Sequence, residues 1–201
     1  MTLFPAFLKL AGRRCLVVGA GPVAEEKIEG LLRAGADVRV VAPEATERIR
    51  ELSRKRKLRW EERAFRAADL SGAFVVVAAT SFPSLHATIY RQARRRGVLC
   101  NVVDDPEHCD FYYGSVVRRG ELQIAISTAG QSPALAQRLR KKLEQEFGAE
   151  YAEWLKELGK IRERLFEKQL SPERRRALLH RLASQASLEE FLRRKKRKSR
   201  G

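Results

Sequence analysis

Gly19-Ala20-Gly21-Pro22-Val23-Ala24 fits the spacing G-x-G-x-x-G/A, and each fixed position has a chemical reason. Gly19 permits a tight turn, Gly21 lets backbone approach a pyrophosphate, and Ala24 is small enough for a helix to pack beside the preceding strand. A helix opening there turns free N–H groups and a partial positive charge toward phosphates. The alternative is a Gly turn with a purely structural role. The second chemical stretch is Asn101-Val102-Val103-Asp104-Asp105-Pro106. Ligands of open α/β sheets sit beyond the carboxyl ends of the strands. A carboxylate placed there can take a proton from a substrate beside a nicotinamide, and two carboxylates before a proline also serve as a turn cap.

Other candidates are weaker. A ribose-binding acid is expected at the end of the second strand, where Val41-Ala42-Pro43-Glu44 stands. Glu44 favours NAD over NADP, or it serves as a carboxylate at a helix N-terminus. His108, Cys109 and Asp110 lack a second half at metal-ligand spacing and read as a solvated loop. Cys15 and Cys100 read as small core residues. His86 and His180 fall in helical stretches without a visible partner. No tyrosine has lysine four residues on: Tyr90, Tyr112, Tyr113 and Tyr151 are followed by Arg94, Val116, Val117 and Leu155, which excludes the Tyr/Lys pair of short-chain reductases.

Elements that would position these residues follow from periodicity. Cys15 to Gly19 reads as a strand buried on both faces, followed by a helix to Arg33 with Val23, Ile28, Leu31 and Leu32 on one face. Asp37 to Ala42 closes a βαβ unit. Glu44 to Arg56 reads as a helix, Leu58 to Glu62 as a polar strand near an edge, and Phe74 to Ala79 as a buried strand. Pro83 to Arg96 reads as a helix and Val98 to Val103 as the fifth strand. This alternation predicts an α/β domain with a parallel, Rossmann-like sheet ending near residue 112. Ser115 to Ser127 reads as an antiparallel hairpin around Arg119-Gly120. Ser132-Pro133 opens a helix to about Phe147, and from Glu150 the composition is helical, punctuated by Ser171-Pro172.

The chain has 201 residues and a net charge of +16, and 44% of its residues are hydrophobic, which excludes a disordered polymer. The longest apolar run, Ala73 to Ala79, is too short to span a membrane. The N-terminus lacks the pattern of a secretory signal. Three cysteines without that pattern point to a reducing cytoplasm. Residues 191–201 carry seven Lys/Arg and no acid, leaving +9 on residues 1–190. Nucleic acid, anionic lipid or a polyanionic small molecule would each suit that charge. Residues 193–201 are expected to form a basic disordered tail.

Five stretches together carry a family resemblance: Leu3-Phe-Pro-Ala-Phe-Leu-Lys-Leu10, Cys15 to Ala24 with Lys27, Val77-Ala-Ala-Thr80, Asn101-Val-Val-Asp104, and Ile124-Ala-Ile-Ser-Thr-Ala-Gly-Gln-Ser-Pro-Ala134. In this order they resemble the precorrin-2 dehydrogenase/sirohydrochlorin ferrochelatase family, the N-terminal module of siroheme synthases, over roughly residues 1–148. The resemblance implies an NAD-binding Rossmann domain at 1–112, a dimerisation module at 113–148 and a helical C-terminal domain at 149–192. It implies oxidation of precorrin-2 to sirohydrochlorin with NAD⁺ as hydride acceptor. Some members also insert Fe²⁺ to give siroheme, and others only dehydrogenate. The chain ends without a methyltransferase domain, so methylation would come from another protein. The family's central aspartate falls on Asp104. Its cofactor contacts fall on Gly19, Gly21, Pro22, Val23, Pro43 and Glu44, and near Thr80. A serine phosphorylated in some relatives aligns with Thr128, a departure from the pattern. The expected partners are an anionic tetrapyrrole and a second copy of the chain, with nucleic acid disfavoured. The competing class is an NAD-sensing regulatory module whose basic tail binds nucleic acid or a membrane surface.

Overall fold

Successive residues of a strand point to opposite faces, and Cys15-Leu16-Val17-Val18 is apolar on both, so this strand must be covered twice. The computed structural model describes residues 3–198 and meets that demand. Two compact units are present, one through Tyr112 and one from Tyr113. In the first, β1 (Arg14–Val18), β2 (Asp37–Ala42), β3 (Arg59–Glu62), β4 (Val75–Ala78) and β5 (Leu99–Val102) form one sheet in the order β3-β2-β1-β4-β5. Every pairing is parallel. Val40, Val17, Val77 and Asn101 lie in one row across it.

Helix α1 (Pro22–Arg33) and helix α2 (Glu47–Arg54) cover one face, burying Ala24, Ile28, Leu31, Ile49 and Leu52 against Cys15, Val17, Val40 and Val77. Helix α3 (Pro83–Arg95) covers the other, where Ile89 and Ala93 meet Leu16, Val18, Val76 and Cys100. The buried stripe of α1 runs through Ala24, Ile28 and Leu31, and Val23 faces outward, 49% exposed. Helix α2 begins later than its charged composition suggests. Thr46 is its N-cap, and the Thr46 amide is held by the Ala20 carbonyl at 3.1 Å. The polar strand β3 is an edge strand, as its composition predicts.

The second unit opens with the hairpin β6 (Ser115–Arg119) and β7 (Leu122–Ile126), turning at Gly120 with φ +60°. Helix α4 (Pro133–Glu146) follows, capped by the Ser132 hydroxyl on the Leu135 amide at 3.2 Å. Arg119 donates to the Phe147 and Glu144 carbonyls at 2.7 and 2.8 Å, placing a cation on the last carbonyls of α4. Helices α5 (Glu150–Glu167), α6 (Pro172–Leu182) and α7 (Gln185–Lys198) complete the unit.

The expectation of a disordered tail from residue 193 is corrected: α7 continues through Lys198. Arg194 and Lys195 meet Glu157 and Glu153 of α5 at 3.3 and 2.6 Å, and Leu188 is buried. Like charges along α7 are thus partly neutralised by a neighbouring helix, which reading the tail by itself could not reveal. Residues 199–201 lie outside the described part of the chain. No helix among the described residues is long and apolar enough to cross a membrane.

Candidate functional site

The strand order reverses between β1 and β4: β2 and β3 lie on one side, β4 and β5 on the other. A crevice opens at such a switch point beyond the carboxyl ends of the strands. The turns bearing the sequence-selected residues lie along that edge. Gly19, Gly21, Pro22 and Val23 follow β1, Pro43 and Glu44 follow β2, Thr80 follows β4, and Asp104 follows β5. Backbone hydrogen bonds knit the turns together. The Gly19 amide reaches the Val41 carbonyl at 3.0 Å, Ala79 reaches Val18 at 2.8 Å, and Val103 reaches Ala78 at 2.9 Å.

The two glycines have different reasons to be glycine. Gly19 has φ +103°, and a Cβ there would lie 2.7 Å from the Ala79 carbonyl carbon. It is required by the close approach of the turns after β1 and β4. Gly21 is the extended N-cap of α1, and a Cβ there would meet nothing within 4 Å. The fold leaves open the space that a side chain would fill. No side chain caps this helix and Pro22 has no N–H, so the first-turn amides of Val23 and Ala24 lack intrahelical acceptors. An open cradle at a helix N-terminus fits a pyrophosphate.

Pro43 and Glu44 are exposed beyond β2. The Thr80 hydroxyl accepts the Phe82 amide at 3.3 Å within the turn into α3. Asp104 departs from expectation in one respect. The strand ends at Val102, and Asp104 sits exposed in the following turn with φ +60°. A left-handed non-glycine residue costs free energy, and Asp is among the residues that bear it best.

Side chains that the sequence leaves without a visible partner find one in the neighbouring turns. Asp105, read as a mere turn carboxylate, accepts from His108 Nδ1 at 2.8 Å, and the same oxygen lies 4.0 Å from His86 Nδ1. His86 is 9% exposed and its Nε2 is 2.7 Å from the Thr80 carbonyl. The segment from His108 to Asp110 is not a free solvated loop. The Asp110 carboxylate accepts the Cys100 amide at 2.9 Å, and Cys109 Sγ lies 3.1 Å from the Val102 carbonyl. The i,i+3 spacing of Asp105 and His108 was the available signal; the link from His86 to Thr80 depends on how α3 folds back.

Cys15 and Cys100 are buried as expected, and all three cysteines are free. Burial, with Asp37 adding to it, pushes the Cys15 thiol up to about 11. Burial, then Asp110 and Cys109, pushes Cys100 up to about 12. Burial also raises the Cys109 thiol. These thiols are poor nucleophiles. Among the described residues, no three His, Cys, Asp or Glu side chains are arranged to hold a metal ion.

Comparison with known proteins adds to this geometry. Residues 6–115 match the family model described as "Putative NAD(P)-binding", and residues 119–146 match that of the sirohaem biosynthesis protein central region. Siroheme synthase 1 of Serratia proteamaculans is 43% identical over 144 residues, covering 72% of this chain and 30% of that protein. Siroheme synthase of Photorhabdus laumondii is 39% identical over 177 residues, covering 88% and 38%. The chain therefore spans about a third of the length of these relatives. Among solved structures, SirC, a precorrin-2 dehydrogenase, superposes with a TM-score of 0.78 at 28% identity, covering 96% of this chain and 98% of that one.

Proposed function

Since the chain belongs to the family described as putative NAD(P)-binding, which matches residues 6–115, and residues 119–146 match the sirohaem biosynthesis central region, we propose that it oxidises precorrin-2 to sirohydrochlorin with NAD⁺. The observation that carries the reading is the site edge itself. An open glycine cradle at the N-terminus of α1 and a carboxylate in a left-handed turn after β5 lie along one edge of one sheet. The full-length likeness to SirC supports the substrate. The names of the relatives favour a biosynthetic enzyme over a regulatory module.

The residues divide the work as follows. Gly19, Gly21 and the amides of Val23 and Ala24 would hold the pyrophosphate, and Pro43 and Glu44 the ribose beyond β2. Glu44 favours the free hydroxyls of NAD over the phosphate of NADP. Thr80 and Asp104 follow β4 and β5, on the other side of the switch point. The bound cofactor supplies hydride acceptance at its nicotinamide. Asp104 accepts the proton that leaves the macrocycle, and its position after a buried strand fixes where that acceptor stands. The positive charge of the chain draws in a substrate that carries eight carboxylates.

Two finer readings accompany this. A homodimer is supported by Leu135 and Leu139, exposed one turn apart on α4, and light scattering at micromolar concentration should give twice the chain mass. The three free cysteines support a reducing, cytoplasmic setting. The activity is tested by mixing the protein with precorrin-2 and NAD⁺ or NADP⁺. NADH and sirohydrochlorin should appear together, with tighter binding of NAD⁺; no oxidation with either nucleotide would refute the reading. Sirohydrochlorin with Fe²⁺ or Co²⁺ as substrate tests the chelatase reaction in the same preparation.

A further inference from the structure

His86 lies on α3, between the turn after β4 and the turn after β5. Its Nε2 is 2.7 Å from the Thr80 carbonyl, in the turn after β4. A carbonyl only accepts, so Nε2 carries the hydrogen. Its Nδ1 then faces the Asp105 carboxylate across 4.0 Å, in the turn after β5. In the neutral ring that nitrogen presents a lone pair to a carboxylate and attracts nothing. In the charged ring it presents N–H, and a cation, to the same oxygen.

Among the described residues, the hydrogen-bond partner at that oxygen is His108. His108 Nδ1 is 2.8 Å from it, coming from the same turn as Asp105. The His108 ring is packed edge-on against Tyr90 of α3 at 5.1 Å, and Arg94 lies over the Tyr90 ring. Among the described residues, the charged or titratable groups at this cluster are Asp105, His108, Tyr90, Arg94 and Cys109, whose Sγ lies 3.2 Å from the Asp105 carbonyl. His108 anchors Asp105 within its own turn. His86 reaches from Thr80 toward that turn.

Asp104 precedes Asp105 directly, exposed and in the left-handed region, with no side-chain hydrogen bond of its own among those described. What fixes it is the placement of its neighbours. We propose that His86 is a positioning residue for Asp104: in its protonated form it clamps the turns after β4 and β5 together and holds the Asp104 carboxylate in place. This rests on the dehydrogenase reading for its kinetic consequences but not for the clamp itself.

Two variants of the full chain test it. His86→Gln keeps an amide N–H at the level of Nε2 for Thr80 and removes the group facing Asp105. His86→Phe keeps a ring and removes both. Amide hydrogen exchange in the nucleotide-free protein should rise about tenfold at residues 103–105 in both variants and near residue 80 in His86→Phe only. In turnover, kcat should fall 10- to 100-fold while NAD⁺ affinity changes less than about threefold. Unchanged exchange at residues 103–105, or a kcat in His86→Gln within threefold of wild type, would overturn the proposal. A wild-type protein that never oxidises precorrin-2 would refute the dehydrogenase reading, while the exchange measurement would still decide the clamp.

Discussion

Replacing each of the two glycines of the cradle separates what the fold needs from what the ligand needs. At Gly19 a side chain would have to adopt φ +103° and would collide with the Ala79 carbonyl. The backbone strain costs ~1–3 kcal/mol, and the overpacking adds ~1–3 kcal/mol. Gly19→Ala should therefore lose about 3 kcal/mol or more, which for a unit of this size lowers Tm by about 10 °C or more. At Gly21 the backbone is extended, with φ −85° and ψ −175°, a conformation valine accepts, and the space beyond is open. The expected cost to stability of Gly21→Val is the poorer N-cap, ~1 kcal/mol. Yet its isopropyl group would stand in the approach to the first-turn amides of α1, so NAD⁺ affinity should fall at least about 100-fold, ~2.8 kcal/mol. Thermal unfolding by circular dichroism and calorimetric titration with NAD⁺ measure both quantities on the same samples. A Gly21→Val protein that unfolds as early as Gly19→Ala, or that binds NAD⁺ within threefold of wild type, would refute the reasoning.

Other outcomes follow from the charges and thiols. Asp69 is buried, which would raise its carboxyl, but donors from Arg63 and the Arg66 amide outweigh burial and hold it below the ordinary carboxylate range; Glu61 is held low chiefly by Arg39. Folded values depressed in this way stabilise the protein above about pH 5 and lose that stability as pH falls through the folded values, below about pH 4. Asp69→Asn should cost about 2 kcal/mol at pH 7 and flatten the acid limb of a denaturant-melt series; an unaltered limb would count against the ion network. Burial and raised thiols protect Cys15 and Cys100, so mass spectrometry after iodoacetamide at pH 7 should find Cys109 modified first. Truncation at residue 192 should remove the contacts of Arg194 and Lys195 with α5 and lower Tm by a few degrees while leaving NAD⁺ affinity within about twofold. Loss of NAD⁺ binding on truncation would refute the separation of tail from cradle.

What the sequence made legible was local. The βαβ unit followed from an apolar strand, a glycine turn, an amphipathic helix and a second apolar strand, all within one short stretch. Ser132-Pro133 announced the start of α4 because capping chemistry is written in adjacent residues. The failures are contacts between elements. His86 meets Thr80 and approaches Asp105 only once α3 packs back on the sheet. The end of α7 is held by Glu153 and Glu157, two residues one turn apart on a helix some 40 positions earlier. The fifth strand reads as running to Val103 because the apolar pair Val102-Val103 continues it. The chain turns at Val103 instead, and the left-handed conformation of Asp104 is a property that its neighbours in sequence do not announce.

Asp104 accepting a proton from the macrocycle is the step on which the proposed function turns. Asp104→Asn is well suited to test it, because asparagine tolerates the left-handed region as aspartate does, so the φ +60° turn should survive while the basicity is removed. Asp105, engaged with His108 and facing His86, is no neutral control; Glu107→Gln, an exposed carboxylate in the same segment, takes that place. The measurement is single-turnover NADH formation from precorrin-2 at saturating NAD⁺. Asp104→Asn should slow the step about 10²- to 10⁴-fold, about 2.7–5.4 kcal/mol, with NAD⁺ affinity unchanged and Glu107→Gln at the wild-type rate. An Asp104→Asn protein that forms NADH as fast as wild type would contradict it.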